Sequence, residues 1–334
     1  ARVTPSHARN FARILTPNFV TAILFPDGPA SARNVRMTGL EIFPAASVNE
    51  DNADLVRVGN ITARSVDELP EGIEFDRCYI HGALAGETRN AINANGRNII
   101  VRDSYISEIK TSFVENHAFV SYNSPGPFTL VNNYIEASAI PILFGGAEPS
   151  IRSPMLPANL DMRYNYVTKA LKWFRLSPYY EGKQYANKTM LEWKVGANSL
   201  VRWNVFEHNF REERSDQSGQ AIAFNIRLPY PQTGAWARTE GIDFIDNIVR
   251  RSHSAWSILG SDFNYGNTGL TQRITIRNNL FHDIGKTWDY REGRDYATTF
   301  GRLIGGGRDI VVESNTYHSS EKVDSPAGPA SGLI

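Results

Sequence analysis

Apolar residues in this chain recur two apart, followed after two further positions by a polar residue, usually asparagine, and then by two more apolar residues. Writing Φ for an apolar or aromatic residue, the template is Φ-x-Φ-x-x-N-Φ-Φ. It fits Phe128–Ile135, Leu160–Val167, Ile242–Val249 and Ile274–Phe281, with Asn133, Asn165, Asn247 and Asn279 in the polar slot. Ser199–Phe206 fits with Ser at its first slot, and Ile310–Tyr317 fits with Thr at one apolar slot. Ile73–Ile80 and Ile99–Ile106 keep the apolar positions but carry Cys78 and Ser104 in place of asparagine, and Val35–Ile42 is a looser copy. The alternation predicts a short strand with one buried face. The asparagine is expected at a sharp bend, because Asn tolerates left-handed backbone better than other non-glycine residues, and asparagines at equivalent corners can bond to one another up a stack. Copies begin 26 to 43 residues apart, and no stretch between them holds a 3.6-residue period. A third apolar stretch lies between copies, as in Ala91–Ala94, His117–Tyr122, Leu191–Val195, Ala221–Ile226 and Arg302–Gly305.

Three short strands per repeat with one asparagine corner describe a coil of a right-handed parallel β-helix, an all-β solenoid. The chain resembles the pectin-lyase-like right-handed β-helix proteins over residues 33 to 317. It is most similar to bacterial proteins built of right-handed parallel β-helix repeats. The stretches that carry this are Phe75–Gly82, Pro125–Phe128, Asn132–Glu136, Phe144–Gly146 and Asn204–Glu207. The resemblance implies the fold and secretion from the cell. It leaves activity open among lyases, hydrolases, epimerases and inert adhesins. One rod is expected, with coils over 35–317, an irregular segment or partial coil over 1–34, and a tail or the start of a further coil over 318–334. No capping helix or signal peptide is visible, so the chain reads as a mature or trimmed piece of a longer protein.

Composition sharpens this. Lys plus Arg (35) equals Asp plus Glu (35), which argues against a protein that wraps nucleic acid. No apolar run is long enough to span a membrane. A single cysteine excludes an intrachain disulfide, a thiolate metal site and a CxxC pair. Length alone points to two domains, and the repeats replace that with one.

A rod must carry its chemistry on one face or in its connections. The widest spacings follow Asn165 and Asn204, so residues 168–190 and 207–220 are expected to project beside the middle coils, with 227–241 beyond them. The first insertion is rich in cations and aromatics, among them Lys169, Lys172, Trp173, Arg175, Tyr179, Tyr180, Lys183 and Lys188, which suit binding of an acidic polysaccharide. In Leu191–Val195 the alternation turns Glu192 and Lys194 outward, and in the next coil Asn225 and Arg227 follow. These four are expected to share a patch fit for β-elimination on a uronate-containing glycan, with Lys194 or Arg227 as base and Glu192 beside it. Lys or Arg serves as base in lyases that this fold resembles.

Two further groupings are expected to touch substrate. His117 follows Glu115, and Glu136 ends a neighbouring repeat, an arrangement open to glycosidase acid–base work. Glu207 and His208 precede Arg211, Glu212, Glu213 and Arg214. Glu192, Glu207 or Asp216 offers hard oxygens for Ca²⁺, although no compact Asp-rich loop specifies a site. The Asn-Thr-Asp, Asp-Asp, Gly-His-Gly series of polygalacturonases is absent, as are the acidic calcium signature and Arg-x-Pro-x-x-Arg pattern of pectate lyases. A non-catalytic carbohydrate-binding or cell-surface β-helix is the reading from another class.

Overall fold

The computed structural model describes residues 1–17, 20–45, 54–151, 157–212, 219–227, 234, 236–262, 268–290 and 298–319. Its strands assemble into three parallel sheets of ten, nine and nine strands, and each strand pairs with its equivalents one coil earlier and later. The chain visits them in fixed order, here called sheets I, II and III, as a right-handed parallel β-helix. Sheet I follows the asparagine corner, sheet III precedes it, and sheet II lies between.

Alternation along each strand becomes a continuous row along the axis. Ile42, Ile80, Ile106, Ile135, Val167, Phe206, Val249, Phe281 and Tyr317 stand in direct register on sheet I. All but Tyr317, which is partly buried, lie inside. Matching rows on sheet II (Val56, Ile92, Phe119, Ile142, Leu191, Ile222, Trp256) and sheet III (Phe75, Val101, Leu130, Met162, Val201, Phe244, Ile276) close the core. At Gly301, opposite Trp256, a Cβ would stand 2.0 Å from the indole, so the row's bulkiest member is accommodated by its smallest.

Within the segment expected as irregular or a partial coil, Ala12–Thr16 and Ile23–Phe25, followed by Arg33–Thr38, form a coil against Leu40–Pro44, Asp54–Val58 and Glu71–Asp76. Its corner is Gly39 at φ 66°, with Leu40 in the asparagine slot, which is why Val35–Ile42 reads only as a looser copy. One expectation is corrected: the ladder asparagine does not adopt left-handed backbone. The residue before it does, at Arg77, Asp103, Asn132, Tyr164, Trp203, Asp246, Asn278 and Ser314. The asparagine side chain turns inward instead. Asn204 Nδ2 donates to Met162 O (3.0 Å), Arg202 O (2.9 Å) and Asn247 Oδ1 (3.0 Å), while its Oδ1 accepts from the backbone N–H and Nδ2 of Asn165. The same pattern links Asn133, Asn165, Asn247, Asn279 and Asn315, and Ser104 continues it to Cys78 N. Among the described residues, no helix is long and apolar enough to cross a membrane.

Candidate functional site

Leu191 and Trp193 fill the core, Trp193 stacking on Phe224 with ring centroids 5.3 Å apart. Glu192 between them is thereby turned to the outer face of sheet II, in the row Val120, Leu143, Glu192, Ala223. Lys194 follows at the strand's end. Gly146 lies so close that a Cβ there would stand 2.7 Å from Lys194 Cδ, so glycine at that point lets the lysine stem lie across it.

The outward face is covered. Glu192 is only 1% exposed, because the end of the 168–190 insertion folds over it. Lys188 Nζ bridges Glu192 (3.0 Å) and Glu115 (3.1 Å), Lys194 Nζ reaches the other oxygen of Glu115 (3.2 Å), and Asn225 Nδ2 donates to Glu192 (3.0 Å). Thr189 Oγ1 completes the carboxylate at 3.3 Å. Glu115 is the open end of this chain of charges, its side chain 40% exposed. Burial pushes its carboxyl upward, but Lys188, Lys194 and His117 outweigh that and hold it at about 2. Glu192 is likewise held below the usual carboxylate range: burial opposes, and Lys188 and Lys194 prevail. Lys188 is raised, the two glutamates overcoming its desolvation. His117 is buried beside them. Its Nδ1 lies 3.0 Å from Ile140 O, an acceptor, so Nδ1 carries the proton and Nε2 is left with its lone pair. Burial lowers His117 to about 4, reinforced by Lys194 and Arg89 and opposed by Glu115.

The sequence expectation of one patch holds for Glu192, Lys194 and Asn225. Arg227 is adjacent through its backbone, its N–H donating to Lys194 O (2.8 Å), but its half-exposed guanidinium lies 3.9 Å from Asp262. Sequence reasoning did not supply Glu115 and Lys188 as partners, since they come from other connections. Aligning successive connections between sheets I and II would have brought 110–116 and 185–190 over residue 192.

Other residues expected at the substrate are packing groups. Lys169 is fully buried, its Nζ bonded to Asn187 Oδ1 (3.0 Å) and Lys188 O (3.2 Å), and desolvation lowers its pKa well below the ordinary value. Trp173 is closed off against Tyr185, with Lys110 and Lys172 over its ring. Lys172 pairs with Glu108 at 2.6 Å. Glu136 accepts from Glu108 N–H (2.9 Å) and Tyr134 OH (2.8 Å) and is raised by burial. It belongs to this network on sheet I and not to that of Glu115. Arg211 is buried against Asp289 (3.1 Å) and His253, and His208 is held between Thr168 and Glu207, lowered by burial to about 4. Apart from Lys172, whose side chain is partly exposed, these side chains lie under the connections they anchor and do not present themselves to a ligand.

The insertion does build a cleft of about 510 Å³, lined by Glu87, Ser112, Phe113, Arg175, Tyr180 and Lys183 among others. Of the cations and aromatics expected to bind substrate, Arg175, Tyr180 and Lys183 line it; the Arg175 guanidinium lies 4.5 Å from the Tyr290 ring centre. Glu87 accepts from Lys183 (2.7 Å) and from Ser112 N–H (3.0 Å). Phe113 is 79% exposed, and Tyr179 on the 168–190 insertion also stands in solvent. Phe113 and Glu115 share one connection, as do Lys183 and Lys188, so the cleft adjoins the charge cluster.

For calcium the donors do not assemble. Glu192 is answered by Lys188, and Glu207 by Arg250 (2.9 Å) and Arg251 (2.6 Å). Glu213, Arg214 and Asp216 lie outside the described residues. Among the described residues, no three His, Cys, Asp or Glu side chains converge on a metal position. No protein-family model and no curated protein matches the chain.

Proposed function

We propose that this protein is a secreted, acidic-glycan-active β-helix whose substrate crosses the outer face of sheet II, with β-elimination at Lys194. The observation that carries the reading is the exposed Glu115 carboxylate, held by Lys188 and Lys194 where a uronate carboxylate finds the same two cations. Arg227, half exposed and joined to Lys194 through the backbone, is suited to help neutralise that carboxylate and acidify the neighbouring C–H. Lys194, the less enclosed of the two lysines that hold Glu115, is assigned as the base that takes the C–H proton. The C–H proton passes to the amine, the electron pair forms the C=C bond, and the glycosidic oxygen leaves and takes a proton from water. Glu115 and Glu192 are both held ionised, which does not suit either of them to be a hydrolase's general acid.

A binding-only protein is the second reading. Its support is that Glu115, Lys188, Glu192 and Lys194 already answer one another, while the exposed Phe113 and Tyr179 offer ring faces that need no chemistry. Incubation with a panel of uronate polymers separates the two. Elimination gives the absorbance of an unsaturated uronate, abolished in Lys194→Ala at unchanged melting temperature, with KM raised in Arg227→Ala. Retention on a uronate gel with neither that absorbance nor new reducing ends sinks the enzyme and leaves the binder.

A further inference from the structure

The corner before each ladder asparagine carries a second pattern. Its eight left-handed residues have φ between 52° and 59°. Six are Arg77, Asp103, Asn132, Asp246, Asn278 and Ser314, and polar corners knit to their neighbours: Asn132 Nδ2 bonds Asp103 (2.6 Å) and Asn278 Nδ2 bonds Asp246 (2.7 Å). On two successive middle coils the corner is instead Tyr164 and Trp203. Left-handed backbone costs a side-chain-bearing residue about 1–2 kcal/mol, and aromatic rings lack the short polar group that offsets it locally. Nor do these rings enter the core. They stack on one another, centroids 5.1 Å apart and 21° from parallel, and remain 52% and 40% exposed.

Beside them lies an unmatched cation. In the outward row of sheet III, Arg102 pairs with Glu74 and Asp76, Arg163 with Asp161 (2.8 Å), and Arg277 approaches Glu313 (3.9 Å). Arg202 lies in that row next to Arg163. Its guanidinium sits 4.0 Å from the Trp203 ring centre and has no carboxylate partner among the described residues. Two solvent-facing aromatic rings beside a cation with no counter-charge match a pyranose bearing an acidic group: the sugar's C–H face packs on the rings and its carboxylate or sulfate pairs with the arginine.

We infer that Tyr164, Trp203 and Arg202 form an anionic-glycan anchor at the corner between sheets III and I, separate from the cluster on sheet II. It holds a polymer to the rod without contributing to bond cleavage. Asparagine is the safe substitution, since Asn132 and Asn278 already occupy the same corner with the same backbone. The test is affinity electrophoresis through polygalacturonate, alginate, dextran sulfate and neutral dextran. It uses Lys194→Ala protein as the parent, so that sheet II contributes least. Tyr164→Asn/Trp203→Asn is expected to melt at or above the parent's temperature and to bind the charged gels about tenfold more weakly, about 1.4 kcal/mol. Arg202→Gln is expected to weaken the charged gels alone, and carboxylate against sulfate gels identify the acidic group. Equal retardation of parent and double variant overturns the anchor, as does absence of retardation in every charged gel. An equal loss of Arg202→Gln on neutral dextran overturns its anionic character. Turnover does not enter these outcomes, so a wild-type protein without activity on the uronate panel refutes elimination, while retardation of the Lys194→Ala parent leaves the anchor standing.

Discussion

Lys169 shows how far one residue's environment departs from what its type suggests. Among the cations of an exposed-looking insertion it reads as a surface lysine, yet it is fully buried and meets two neutral oxygens and no carboxylate. Its folded amine holds a proton less tightly than the unfolded one, whose pKa is about 10.4. The unfolded state therefore binds more protons below that value, and stability rises with pH toward it. Lys169→Met removes that slope and leaves Asn187 Oδ1 and Lys188 O unsatisfied, a loss of about 1–3 kcal/mol. Urea midpoints at pH 7 and pH 9 check both: the wild type is expected to gain over that interval relative to the variant, and parallel lines would show the amine to be ordinary. Sequence cannot disclose such burial, since the covering atoms are those of Asn187 and Lys188, eighteen and nineteen residues on.

At the scale of elements the sequence is most readable where the cause is local. Two-residue alternation fixes which side chains face inward, so the core row of sheet III is legible from Phe75 to Ile276. The asparagine slot was legible as a position but not as a conformation, because the left-handed strain falls one residue earlier and the asparagine works through its amide. That amide is the element's chief polar fastening. Asn204→Leu deletes five hydrogen bonds and strands buried donors and acceptors of the coils on either side, an expected loss of about 3–5 kcal/mol. Asn204→Ser should lose less, because Ser104 already holds the ladder by accepting from Cys78 N–H and donating to Arg102 O. Urea unfolding followed by far-ultraviolet circular dichroism ranks the two, and a serine variant as unstable as the leucine variant would deny the ladder its role. The charge cluster was half legible for the complementary reason. Glu192, Lys194 and Asn225 are brought together by strand register, whereas Glu115 lies 79 residues from Lys194 and arrives by a connection whose path alternation does not specify.

Over the whole molecule the zero net charge conceals opposed titrations concentrated where sheet I passes to sheet II. His117 faces Glu115, Lys194 and Arg89, and His208 faces Glu207, Arg250, Arg251 and Asp283; burial leaves each near 4 against about 6.5 unfolded. Between those values the unfolded chain binds the extra proton, so stability is full above about 6.5, falls as pH drops toward 4, and levels below it, by up to about 3 kcal/mol per histidine. Glu115 acts lower: its folded pKa of about 2 means that its contribution is present above about 4.5 and disappears as pH falls toward 2, weakened by salt because the group is partly in solvent. Acid should therefore loosen the rod in two stages, histidines first. His117→Gln/His208→Gln keeps an amide donor for Ile140 O and removes the titration, so its denaturation midpoint should be flat from pH 7 to pH 5 where the wild type's declines. If both decline in parallel, the first stage belongs to other groups and the histidines are held by their connections without being read by them.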